Sequence, residues 1–196
     1  MNFSIKRAFL IKASKSCTAP IFSVRSLAST SGRLDVIIRC IFSAFIWNGL
    51  IRKDTKFYAV LEGPPSPPLV IEIDGSELNY LPNNELGMAN LIIKLMRNEK
   101  IRGFKIYKEN FKNLVTKLKS KYNVLYLHEM GKDIRKMSFN PKDKYLFILG
   151  DHIGIDKESE RYLLSLKIPL VSLGPISYLS SQCIILVHEE LDRRII

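Results

Sequence analysis

Two glycine-bearing loops hold the residues best suited to chemistry in this sequence. Leu146-Phe-Ile-Leu-Gly150-Asp-His-Ile-Gly154 and Ile168-Pro-Leu-Val-Ser-Leu-Gly174-Pro-Ile-Ser-Tyr178 each set a glycine directly after a short apolar run. A strand that stops at a glycine leaves main-chain N–H and C=O groups at its carboxyl end, where open α/β sheets take their ligands. Neither loop has the GxxxxGK[ST] or GxGxxG spacing that cradles a pyrophosphate, so ATP and NAD gain no support. Main-chain groups beside Leu127, Leu149, Leu173, Ile176 and Leu179 suit instead a flat, uncharged ring such as adenine, held between aliphatic walls.

The charge balance points to a polyanionic partner. Thirty Lys and Arg against nineteen Asp and Glu leave the 196-residue chain at a formal +11, and nucleic acid is the commonest partner of such a surplus. Lys6, Arg7, Lys12, Lys15, Arg25 and Arg33 all precede the first carboxylate, Asp35. This serine-rich stretch resembles a transit peptide in composition only. Ala8-Phe-Leu-Ile11 reads as a buried strand, and no amphipathic Arg-rich helix accompanies it. Cys17, Cys40 and Cys183 are odd in number and far apart, and His128, His152 and His188 lack ligand spacing. Neither a disulfide framework nor a metal site is expected, and a reducing cytoplasmic setting is. The longest apolar stretch, Cys40 to Ile51, is too short to span a membrane.

The elements that must position the loops follow from periodicity. Leu34, Ile37, Ile38, Ile41, Phe42, Phe45 and Ile46 recur at helical spacing, with Ser31 and Gly32 as capping candidates. Strands are predicted at Lys56–Leu61 and Leu69–Ile73, either side of a Gly-Pro-rich turn, and at Gly103–Tyr107, Asn123–Leu127, Lys144–Leu149 and Ile168–Ser172. Helices are predicted at Asn83–Arg97, Phe111–Ser120 and Asp156–Leu166. A last helix runs to Arg194, with Leu179, Cys183, Leu186, Val187 and Leu191 inward and Ile184 and Ile185 left for a dimer contact. Strands alternating with helices make this an α/β chain with a mostly parallel sheet, one domain across residues 1–196.

Five ordered blocks carry a family resemblance: Ser31-Gly-Arg-Leu-Asp35, Phe57-Tyr-Ala-Val-Leu61 with its Pro-rich turn, Tyr126-Leu-His-Glu-Met-Gly131, Leu149-Gly-Asp-His-Ile-Gly154 and Leu173-Gly-Pro-Ile-Ser-Tyr-Leu179. Together they resemble the archaeal tRNA pseudouridine-54 N1-methyltransferases of the SPOUT superfamily, from about Phe9 to Arg194. The resemblance implies a SPOUT-type α/β fold with a C-terminal trefoil knot, the knot and cofactor loops lying at about 123–196. It further implies bound S-adenosylmethionine, a tRNA substrate and a homodimer. Its cofactor contacts fall on Leu127, Gly150, Leu173, Gly174, Pro175, Ile176, Ser177, Tyr178 and Cys183; where related sequences often carry lysine, this chain has Ile176. Cys183 reads as a packing residue, because N-methylation needs no thiolate.

The implied reaction joins a sulfonium methyl group to N1 of pseudouridine, which requires alignment and a destination for the N1 proton. Asp35, between Arg33 and Arg39, is the candidate acceptor or orienting group, and Arg33 its catalytic companion. Two arginines keep a carboxylate ionised, which equally suits a salt bridge that positions Arg33. RNA contact is assigned to Lys15, Arg25, Arg33 and Arg39. A ribosomal-RNA pseudouridine N1-methyltransferase, or a non-catalytic RNA-binding protein of the same fold, fits the same residues.

Overall fold

The computed structural model describes residues 6–195. Strand β1 (Arg7–Ala13) is buried along its length. Its side chains alternate between two apolar layers, with Phe9, Ile11 and Ala13 in one and Ala8 and Leu10 in the other. A strand covered on both faces needs an unbroken apolar run, and Ala8–Ile11 supplies it. After a short turn of helix, α1 (Leu27–Thr30), comes α2 (Leu34–Phe45), which buries Leu34, Ile37, Ile38, Ile41 and Phe45 as the spacing predicts. Ser31 supplies the expected capping hydrogen bond from outside the cap position. Arg33 takes the cap position at φ 70 without a side-chain cap, while Ser31 Oγ accepts from Leu34 N at 3.0 Å.

The apolar run beyond Phe45 leaves the helix. Asn48 and Gly49, both at positive φ, turn it into a hairpin of β2 (Ile46–Trp47) and β3 (Leu50–Ile51). Asn-Gly is the strongest short hairpin signal, and here it overrides the helical period. There follow β4 (Thr55–Leu61), β5 (Leu69–Asp74), α3 (Glu85–Met96), β6 (Phe104–Tyr107) and α4 (Phe111–Lys119). The chain continues through β7 (Asn123–Asp133), β8 (Tyr145–Gly150), α5 (Lys157–Ser165) and β9 (Leu170–Ser172) to α6 (Ser180–Ile195). Side-chain caps mark three of the helix starts: Asn84, Asn110 and Asp156 each accept from a first-turn N–H.

Seven strands form one sheet in the order β6-β5-β4-β1-β8-β7-β9. From β4 to β9 every neighbouring pair is parallel, and β5 and β6 extend one edge antiparallel. Helices α2, α3 and α6 cover one face; α4 and α5 cover the other.

Helix α6 packs through a face rotated from the expected one. Ile184, Val187, His188 and Leu191 are buried, whereas Leu179 and Ile185 are exposed. Ile184 is therefore core against α2, and only Ile185 of the predicted dimer pair stays on the surface. A buried polar cluster fixes the helix end to the start of β1. Arg7 Nη1 donates to Asp192 at 2.6 Å, Arg52 Nη2 donates to the other oxygen at 2.5 Å, and Arg7 Nη2 lies 3.0 Å from Asp54 as an ion pair. His188 sits among them, its Nδ1 3.2 Å from Arg7 Nη1 and its Nε2 3.1 Å from the Ala44 carbonyl. An arginine donor on Nδ1 sets the neutral tautomer with the proton on Nε2. Burial, then Arg52 and Arg7, hold His188 well below its ordinary pKa. None of the described helices is long and apolar enough to cross a membrane. No group of His, Cys, Asp or Glu among the described residues is arranged to hold a metal ion.

Candidate active site

The first glycine loop closes tightly on itself. A Cβ placed at Gly150 would meet the Gly154 main chain at 2.2 Å, so no side chain fits there. Buried Asp151 holds the loop to the end of β1, accepting from Ser14 N at 2.8 Å and Ile153 N at 2.9 Å. In the second loop Ser172 Oγ accepts from Gly174 N, and Gly174 takes a φ of 145. Ser180 Oγ, at the start of α6, donates to the Gly150 carbonyl at 2.8 Å and so ties the two loops together.

A third segment completes the wall. Strand β7 pairs with β9 twice: Tyr126 and Leu127 face Leu170 and Val171, then Lys132 faces Val171 again. Residues 128–131 loop out between the two pairings. The rejoining is close enough that a Cβ on Gly131 would strike the Val171 main chain at 2.4 Å. The expected strand end at Leu127 is thus the start of a bulge that carries His128 and Glu129 to the ligand side.

These three segments and the start of α2 enclose a cleft of about 680 Å³ at the carboxyl ends of β7, β8 and β9. That volume lies in the usual small-molecule range of roughly 300–1,000 Å³. Leu127, Gly150, Leu173, Gly174, Ile176, Ser177, Tyr178 and Cys183 all line it; Pro175 is exposed and does not. Burial pushes the Cys183 thiol up to about 11, which keeps it neutral and suits packing rather than nucleophilic attack.

Arg33 and Arg39 line the opposite rim, while Asp35 lies behind them and out of the cleft lining. Arg33 donates from Nε and Nη2 to both Asp35 oxygens at 2.9 and 3.1 Å, and Arg39 also pairs with Asp35. Burial alone would raise the Asp35 pKa; the Arg33 hydrogen bonds and the two positive charges outweigh it and hold the carboxyl below its ordinary value. Lys15 and Arg25 do not line the cleft. The main chain of Lys15 abuts Gly32, next to Arg33, and its side chain is exposed. Arg25 borders a separate shallow groove with Glu85 and Leu86 of α3.

The sequence reading assigns no role to several residues that the fold brings here: His128, Glu129, Asp151, His152, Glu160 and Ser180. Asp151 and His152 lie inside a loop already marked by its glycines. Glu160 sits on α5 with no local signal, and only the packing of α5 beside β7 reveals it.

A family model described as "Putative SAM-dependent RNA methyltransferase" matches residues 6–196. The chain belongs to that family. Its relatives match along nearly their whole length. The tRNA (pseudouridine(54)-N(1))-methyltransferase of Methanococcus maripaludis strain C5 is 37% identical over 195 residues, covering 95% of this chain and 98% of its own. The protein of the same name from Pyrococcus abyssi is 37% identical over 201 residues, covering 95% and 98%. Among solved structures, Archaeoglobus fulgidus Nep1 bound to S-adenosylhomocysteine superposes with a TM-score of 0.68 at 16% identity, over 97% of this chain and 98% of that one. At that identity the likeness speaks for the fold.

The cleft of this methyltransferase family member fits the family's cofactor. Its volume suffices for an adenosyl group with an amino-acid tail. Gly150 and Gly174 present bare main chain, and Leu127, Leu149, Leu173 and Ile176 supply aliphatic walls for a ring.

Proposed function

We propose that this chain transfers the methyl group of S-adenosylmethionine to N1 of pseudouridine at position 54 of tRNA. The observation that carries the proposal is the cleft itself: two glycine loops and the β7 bulge converge opposite an arginine rim, in a chain similar over nearly its full length to enzymes of that name. When bound, the cofactor supplies an electrophilic methyl carbon on a sulfonium. Pseudouridine is joined to its ribose through carbon, so N1 keeps a proton and remains free to attack; as the new N–C bond forms, the C–S bond breaks to leave S-adenosylhomocysteine and the N1 proton passes to solvent water.

The residues contribute alignment and charge. Arg33 uses Nε and Nη2 on Asp35 and keeps its Nη1 hydrogens for a pyrimidine carbonyl, where positive charge offsets the electron density left as N1–H is lost. Asp35 is a positioning residue in this reading: a carboxylate held below its ordinary pKa by two arginines is a weak base. Lys15, Arg25 and Arg39 contact RNA phosphates, and Arg33 contacts the base. Drawing the target base into the cleft requires it to leave its stack.

The whole chain acts as one domain in the cytoplasm. A C-terminal trefoil knot is supported by the β7–β8 connection lying over the end of α6, where Arg194 donates to the Met137 and Arg135 carbonyls at 2.6 and 2.9 Å and stacks over Phe139. A homodimer is supported by exposed Met130, Ile153, Ile176, Leu179 and Ile185 on the loops and helix that flank the cleft.

Titration calorimetry with S-adenosylmethionine, followed by mass spectrometry of nucleosides from treated tRNA and ribosomal RNA, tests the function. One-to-one binding per chain and 1-methylpseudouridine at position 54 of tRNA are expected. Label in ribosomal RNA alone, or no methyl transfer to either RNA, would overturn it.

A further inference from the structure

The cleft is electrically divided. Arginines occupy the α2 rim, whereas Glu129 and Glu160 stand on the side built by β7 and α5. Carboxylates facing a polyanion repel it, so this second side is poorly suited to RNA. The amino-acid end of the methyl donor is a zwitterion, and of its two charged groups only the ammonium suits this side, with the carboxylate turned away from Glu129 and Glu160.

Glu160 is arranged to receive a cation. Its Oε1 accepts from Tyr126 Oη at 3.3 Å and lies 3.4 Å from His128 Nε2. His128 Nδ1 accepts from Met130 N at 3.0 Å, which fixes the neutral tautomer and puts the ring proton on Nε2, toward Glu160. The two rings meet edge to face with centroids 5.5 Å apart, so each holds the other in place. Burial, and after it Glu160, push the Tyr126 hydroxyl above its ordinary pKa, and it therefore stays a donor. Tyr126 Oη hydrogen-bonds Oε1 with His128 Nε2 close beside it, and no described residue hydrogen-bonds Oε2. A carboxylate oriented at one oxygen and free at the other, in a ligand cleft, is ready for an ammonium N–H.

We infer that Glu160, oriented by His128 and Tyr126 across the β7 bulge, binds the α-ammonium group at the amino-acid end of the methyl donor. This rests on the methyl-donor reading of the cleft. It gives the bulge a role: it delivers His128 to α5 and so couples the two elements. Adenosine would lie between the glycine loops and the RNA base would approach from the Arg33 side, leaving donor and acceptor sorted by charge.

Calorimetry on the wild-type chain and Glu160→Gln tests this, with S-adenosylmethionine, S-adenosylhomocysteine and 5′-methylthioadenosine as probes. Methylthioadenosine keeps the nucleoside and sulfur and lacks the amino-acid end. Glutamine preserves the shape and removes the charge, and methylthioadenosine binding reports directly that the cleft is intact. The expected result is a loss of about tenfold or more for both full-length ligands and an unchanged affinity for methylthioadenosine. His128→Gln should weaken the same two ligands to a smaller degree. Equal S-adenosylmethionine affinity in wild type and Glu160→Gln would overturn the assignment. So would an equal loss for all three probes, which would make Glu160 a part of the cleft's shape. If the wild-type chain bound none of them, the methyl-donor reading itself would fail, a result distinct from either.

Discussion

Asp35 and Arg33 divide the labour at the arginine rim in a way that kinetics can separate. If Asp35 only orients Arg33, Asp35→Asn should slow single-turnover methylation about tenfold or more, leave donor affinity within about twofold, and keep the shape of the pH–rate profile. A near-normal rate would remove both roles, and loss of a limb of the profile would restore the base. Gly150 makes a different prediction. Its absent Cβ would fall 2.2 Å from the Gly154 main chain, so Gly150→Ala should cost about 1–3 kcal/mol in urea unfolding and abolish donor binding. Both residues were legible from the chain, because a glycine after an apolar run and a carboxylate between arginines are local patterns. Glu160 was not: its meaning depends on α5 lying beside β7, a contact between residues more than thirty positions apart.

Strands and helices were readable wherever one period governed a segment, as in α2 and β1, whereas α3 buries Met88, Ala89, Ile92 and Leu95 in place of the expected stripe through Leu86, Ala89, Asn90, Ile93 and Met96. Reading failed where two signals competed. The Asn48-Gly49 turn cut short a helical apolar run. The α6 face turned because burial followed α2, not the boundary chosen for the helix. That helix carries its own pH sensitivity. His188 is buried neutral among Arg7, Arg52 and Asp192, with its folded pKa well below the ordinary value of 6.5. The unfolded chain therefore binds one more proton once pH drops under about 6.5, so stability is full above that value and declines as pH falls toward the folded pKa. The slope should approach about 1.4 kcal/mol per pH unit. Asp192 has its pKa lowered and contributes only under more acidic conditions. Denaturant midpoints measured between pH 7 and pH 5 check this, and His188→Gln should flatten the curve.

Across the whole molecule the surplus of +11 sets how RNA arrives. Binding of tRNA should weaken steeply with salt, and reversing Lys15 or Arg39 to glutamate should each lower the slope of log K against log salt by about one if that side chain meets a phosphate. Filter binding from low to moderate salt would show it, and an unchanged slope would take that side chain out of the interface. Composition announced this attraction, but not its polarity within the cleft, since +11 says nothing of where the carboxylates sit.

Surface loops ordinarily tolerate changes in length. The excursion at 128–131 should not, because the same strand receives the chain on both sides of it. Dropping or adding one residue would either strain this short excursion or pull Lys132 and Asp133 from their partners Val171 and Ser172, next to the buried Ile134. Single-residue indels scanned through this stretch should be as harmful as indels in a central strand.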